Sequence, residues 1–131
     1  VRVICISDTH NQHEKLTIPP GDILIHAGDI TSLGRVEHLQ SFNEWLGTLP
    51  HHYKIVVAGN HEYLPNSRLD LVNDLSNAIV LDDKSIDIEG FHLHGCAWKG
   101  DDGSRQWKIP HGVDILVLYC HQFNNNNNTQ K

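Results

Sequence analysis

Val1-Arg2-Val3-Ile4-Cys5-Ile6-Ser7-Asp8-Thr9-His10 opens the chain with a near-continuous apolar run that breaks into a polar loop, the pattern of a strand buried on both faces of a parallel sheet. The same shape recurs twice. Asp22-Ile23-Leu24-Ile25-His26, opened by the turn signal Pro19-Pro20-Gly21, runs into Ala27-Gly28-Asp29, and Lys54-Ile55-Val56-Val57-Ala58 runs into Gly59-Asn60-His61-Glu62. Each strand thus hands a loop of Asp, His or Asn to its C-terminal end, where open α/β sheets place their ligands.

Between the second and third runs, Val36, Leu39, Phe42, Trp45, Leu46 and Leu49 fall at spacings of three and four, an amphipathic helix ended by Pro50. A strand, helix, strand unit predicts parallel pairing with a right-handed crossover. Downstream, the pattern predicts a shorter helix over 68–75 and a strand over 78–81. Ser85-Ile86-Asp87-Ile88 and Phe91-His92-Leu93-His94 alternate about Glu89-Gly90 as a two-residue hairpin, and a last strand covers 113–118.

At 131 residues the chain is read as one domain over 1–123, followed by a disordered polyasparagine tail over 124–131. The 10 basic and 16 acidic side chains give a net charge of −6, which argues against a surface that holds nucleic-acid backbone. Cys5, Cys96 and Cys120 have no C-x-x-C spacing, and Cys5 is expected to pack as a small hydrophobe inside its strand. With no signal peptide or membrane span in the sequence, the expected location is cytoplasmic. The absence of methionine and the Asn124 to Asn128 run suggest a segment of a longer protein.

The three loops carry the chemistry. Asp8 and His10 stand two apart, so a carboxylate and an imidazole can turn onto one cation; Asp29 can bridge two cations, and Asn60 offers a neutral amide oxygen. In a two-metal site the ions clamp a phosphate and generate a hydroxide nucleophile, and His61 is placed to protonate the leaving oxygen. Adjacency alone suggests that Glu62 orients that imidazole. Most other histidines, His13, His38, His51, His52 and His111, are expected at the surface. His26 is read either as support for the Asp29 loop or as core packing, and His92 with His94 as a same-face pair that more often binds no metal. Trp98 and Trp107 are candidates to stack a base, although core packing is their commoner use.

On these residues the chain resembles the calcineurin-like metallophosphoesterases, whose pattern runs D-x-H, G-D, G-N-H-[DE], a His after a later strand, then G-H-x-H. Within that superfamily it is most similar to the metallophosphoesterase-domain proteins, a class III phosphodiesterase-like group with brain-expressed mammalian members. The similarity runs through Ile4 to His10, Leu24 to Asp29, Phe42-Asn43-Glu44-Trp45-Leu46-Gly47 and Ala58 to Glu62. The resemblance implies a four-layer α/β/β/α sandwich, incomplete here at the C-terminus, that hydrolyses phosphate esters. It assigns Asp8, His10 and Asp29 to a first divalent cation (Mn, Fe, Zn or Mg), Asp29 and Asn60 to a second, and catalysis to His61.

Where the family places Thr-His-Gly after Val113-Asp114-Ile115-Leu116-Val117, this chain has Leu118-Tyr119-Cys120-His121, so Tyr119 stands at the expected ligand position. His121, two residues on, falls on the same side of an extended strand, and G-H-x-H is absent. The expectation is an incomplete second cation position in a truncated phosphoesterase acting on a small phosphate ester. Apolar surface bared by the truncation would favour self-association. The alternative is a degenerate phosphoesterase fold that binds a metal or nucleotide without turnover.

Overall fold

In the computed structural model, which describes residues 1–100 and 107–120, the three apolar runs form neighbouring strands. β1 (Val3–Ile6), β2 (Ile23–His26), β3 (Tyr53–Val56) and the short β4 (Ile79–Val80) make an all-parallel sheet in that order. Between β2 and β3 lies α1 (Val36–Thr48), and α2 (Leu69–Asn73) precedes β4. Leu39, Phe42 and Leu46 are the buried stripe of α1, as their spacing predicts.

Alternation along the strands divides the core. Leu24 and Val56 face the helices with Leu39, Phe42, Leu46, Val72 and Leu75. Their neighbours Ile23, Ile25, Ile55 and Val57 point the other way, onto a second sheet that contributes Ile88, Leu93 and Val117. That sheet is β5 (Lys84–Ile88), β6 (Phe91–Cys96) and β7 (Ile115–Leu118), with β5 and β6 antiparallel and β6 and β7 parallel. The β5–β6 turn uses left-handed Glu89 and Gly90, the backbone of a tight hairpin. Each large side chain buried between the layers contributes roughly 1.5–3 kcal/mol. Among the described residues the layers are helix, sheet, sheet, in the order expected of the metallophosphoesterase sandwich. No helix among them is long and apolar enough to cross a membrane.

Three expectations are corrected. Among the described residues β1 pairs only with β2, so it is an edge strand, half-buried, and Cys5 is exposed. His13 and His51 are buried, at 2% and 4% exposure. His13 lies against Phe42 and Trp45 with Nε2 3.1 Å from Ser41 Oγ, and His51 Nε2–H donates to Pro19 C=O (2.9 Å). His121 and the polyasparagine tail lie outside the described residues.

Candidate metal centre

The first two motif loops meet because the sheet's hydrogen bonding continues past the strand ends. Asp8 N–H donates to Gly28 C=O (2.9 Å), His10 N–H to Asp29 C=O (3.2 Å) and Asn11 N–H to Ile30 C=O (3.2 Å). This path needs left-handed backbone at Asp8, His10, Asn11 and Asp29, with φ of 56°, 42°, 69° and 57°, and at Gly28. Each such non-glycine residue stores on the order of 1–3 kcal/mol that surrounding contacts must offset.

Two buried side chains supply those contacts. Gly28 N–H donates to His26 Nδ1 (3.2 Å), which leaves the proton of the neutral ring on Nε2, facing Thr9 Oγ1 at 3.0 Å; Thr9 in turn donates to Ile30 C=O (2.9 Å). Burial lowers the His26 pKa to about 3, so the ring stays neutral. Glu62 is fully buried, and its carboxylate accepts from Gly59 N–H (2.9 Å), Ile30 N–H (3.2 Å) and Thr31 N–H (3.4 Å). Burial pushes its carboxyl up to about 7, against the pull of those donors. Glu62 therefore ties the second loop to the third. The orienting task expected of it falls to the Ser32 carbonyl, which accepts from His61 Nδ1–H at 2.6 Å.

Asp29, 3% exposed, is the hub. Its Oδ1 accepts His61 N–H (3.1 Å), and its Oδ2 lies 3.5 Å from His10 Nε2 and 4.0 Å from His61 Nε2. One donor atom from each of His10, Asp29 and His61 falls within 4.8 Å of the others, and the two imidazoles meet edge-on with centroids 4.6 Å apart. Asp8 is exposed, with Oδ1 3.8 Å from His10 Nε2. These carboxylates and imidazoles suit a divalent transition metal.

Tyr119, just past β7, reaches the same hub. Its hydroxyl lies 2.7 Å from Asp29 Oδ2 and 2.7 Å from Asn60 Oδ1, so two acceptor oxygens converge on one proton. Two glycines make room for the ring. A Cβ at Gly28 would lie 2.3 Å from Tyr119 Cδ2, and one at Gly59 would lie 2.8 Å from Cε2 and 2.3 Å from Asp29 Oδ1. Burial and the Asp29 carboxylate raise the phenol pKa far above its ordinary value, which keeps it protonated. The residues thus fit a cation at the His10–Asp29 position. Between Asp29 and Asn60 the Tyr119 hydroxyl stands within hydrogen-bond distance of both oxygens, and a neutral phenol there is a poorer cation ligand than the imidazole of the family pattern.

The structure gathers His10, Asp29 and His61, keeps Asp8 at the rim, and turns Asn60 to Tyr119. Thr9 and Ser32 are supports that sequence reasoning missed; Glu62 and Tyr119 had left a signal, in the third motif and at the family's histidine position, but Glu62 binds backbone N–H groups and does not orient His61. Trp98 packs against the inter-sheet core beside Tyr63, and Trp107 donates to Ala97 C=O (3.4 Å).

A family model described as calcineurin-like phosphoesterase matches residues 1–129. The chain is 37% identical to metallophosphoesterase domain-containing protein 1 of Homo sapiens, over 90% of this chain and 48% of that protein. It is 35% identical to a UPF0046 protein of Caenorhabditis elegans, over 91% of this chain and 50% of that protein. It therefore spans about half the length of these curated relatives. A solved protein of unknown function from Aquifex aeolicus is similar at a TM-score of 0.43 and 22% identity, over 79% of this chain and 63% of that one.

Proposed function

This chain belongs to the calcineurin-like phosphoesterase family, and from that premise we propose that it is a metal-dependent hydrolase of phosphate esters, phosphodiesters foremost. The observation that carries the reading is the convergence of His10, Asp29 and His61 donor atoms within 4.8 Å at the C-terminal end of a parallel sheet. Asp8, His10 and Asp29 are the residues that would hold a divalent cation of the Mn, Fe, Zn or Mg class. Such a cation supplies Lewis-acid polarisation of a phosphoryl oxygen and lowers the pKa of a water.

His61 handles the proton. Its Nδ1–H is held by Ser32, so Nε2 is the working nitrogen, and as imidazolium it donates from Nε2 to the departing oxygen. The test compares wild type with His61→Asn, both Mn²⁺-loaded, on a diester with an alkoxide leaving group and on one with a nitrophenolate leaving group. We expect about a 10²–10³-fold loss on the poor leaving group, within the usual range for general acids, and a much smaller loss on the good one. Equal losses on both would remove His61 from the acid role.

One observation favours a second reading, a cation-binding module without turnover. Tyr119 occupies the oxygens of Asp29 and Asn60 that the family pattern gives to a second cation. Absence of turnover on both diesters in Mn²⁺-loaded wild type, with Mn²⁺ bound, would select it.

A further inference from the structure

The second sheet carries a separate cluster of metal-ligating groups. His94 and Cys96 alternate along β6, on the face away from the inter-sheet core residue Leu93, and are 4% and 0% exposed. Asp83, in left-handed backbone immediately before β5, lies beside them because Lys84 pairs with Gly95. One ligand atom from each of Asp83, His94 and Cys96 lies within 4.8 Å of the others.

His94 is prepared as a ligand. Ser85, its cross-strand partner, sits 2.6 Å from Nδ1, and when that nitrogen donates to Ser85 Oγ the lone pair is left on Nε2. Nε2 is buried and has no hydrogen-bond partner among the described residues. A hydrogen-bonded ring nitrogen opposite an open one is how metal-bound histidines are usually oriented. His92 is engaged elsewhere, with Nδ1 2.6 Å from Asp87 Oδ1, and among the described residues Cys96 and Asp83 are the ligand neighbours of His94.

We propose that Asp83, His94 and Cys96 form a second, sulfur-containing metal site for a thiophilic divalent cation, zinc by class, distinct from the Asp29 centre. A thiolate, an imidazole and a carboxylate are a zinc donor set. Tetrahedral bonds of about 2.0–2.3 Å place donors about 3.3–3.8 Å apart, so modest side-chain adjustment closes the cluster. The carboxylate and thiolate together neutralise the ion. Lys99, whose Nζ lies 2.7 Å from Asp83 Oδ2 and 2.9 Å from Asp82 Oδ1, holds the Asp83 side in the metal-free state and can remain on Asp82. Binding replaces the Cys96 S–H with a metal–sulfur bond and releases that proton to solvent, so affinity rises with pH.

The test uses the full chain with Cys5→Ser and Cys120→Ser, which removes the two exposed thiols and leaves Cys96 as the one sulfur in the sequence. Titration with Co²⁺ is read for the near-ultraviolet sulfur-to-cobalt charge-transfer band, which the sulfur-free Asp29 centre cannot give. We expect the band to saturate at about one equivalent and to be displaced by Zn²⁺, with a sulfur neighbour about 2.3 Å from zinc in X-ray absorption. Adding Cys96→Ser should abolish the band. If that variant does not fold, the sulfur distance in the double variant decides alone. Co²⁺ uptake without the band, or zinc with only nitrogen and oxygen neighbours, would overturn the proposal.

Discussion

Asp29 gathers most of the site's interactions into one carboxylate, and the space for it comes from a residue with no side chain. Gly59 has an ordinary negative φ, so its role is steric, and a Cβ there would lie 2.3 Å from Asp29 Oδ1 and 2.5 Å from Asp29 N. Gly59→Ala is expected to cost at least about 2 kcal/mol by overpacking and to displace Asp29, read together as a lower urea midpoint and loss of Mn²⁺ affinity. Glu62→Ala would strand three buried N–H groups at Gly59, Ile30 and Thr31. Unsatisfied donors cost about 1–3 kcal/mol each, so unfolding should register a loss of about 3 kcal/mol or more. The sequence shows Asp29 and His61 because their residue types carry their chemistry. It hides the work of Glu62, whose partners Ile30 and Thr31 are 32 and 31 residues away.

At the scale of elements, α1 connects core to site. Phe42 is the centre of its buried stripe, and the His26 ring meets it edge-on at 5.3 Å. Phe42→Ala should cost roughly 3–5 kcal/mol and loosen the His26–Thr9 link, visible as faster amide exchange at Gly28. The same histidine sets a pH dependence. With a native pKa of about 3 against 6.5 when solvated, unfolding takes up a proton between those values. Stability conferred by neutral His26 is therefore complete above about pH 6.5 and declines as pH falls toward 3, by up to ~1.4 kcal/mol per unit. His13, lowered chiefly by burial, acts in the same direction. Urea midpoints against pH should fall less steeply for His26→Gln than for wild type; parallel slopes would refute this assignment. The helix, the parallel strands and the Glu89-Gly90 hairpin were legible because periodicity and turn chemistry are local. The burial of His13 was not, because the faces that cover it belong to α1, about thirty residues further along.

For the whole molecule, sheet order decides what an apolar run alone cannot. β2 lies between two strands and is buried throughout, whereas β1 has an equally apolar sequence at the edge and leaves Cys5 exposed. A thiol reagent should accordingly modify Cys5 and Cys120 in the native protein and reach the buried Cys96 only after unfolding or slow opening. Topology also brings Tyr119, 90 residues from Asp29 in sequence, onto the same carboxylate. A cation centre built on Asp29, with the Tyr119 hydroxyl on the oxygens of the second position, is expected to take up a single ion. That stoichiometry is tested most directly by calorimetric titration of the metal-stripped chain with Mn²⁺, a hard ion that disfavours the sulfur cluster. The expected result is one equivalent bound by wild type, none by Asp29→Asn, and a second equivalent gained in Tyr119→His. Two equivalents in wild type, or binding that survives Asp29→Asn, would contradict it.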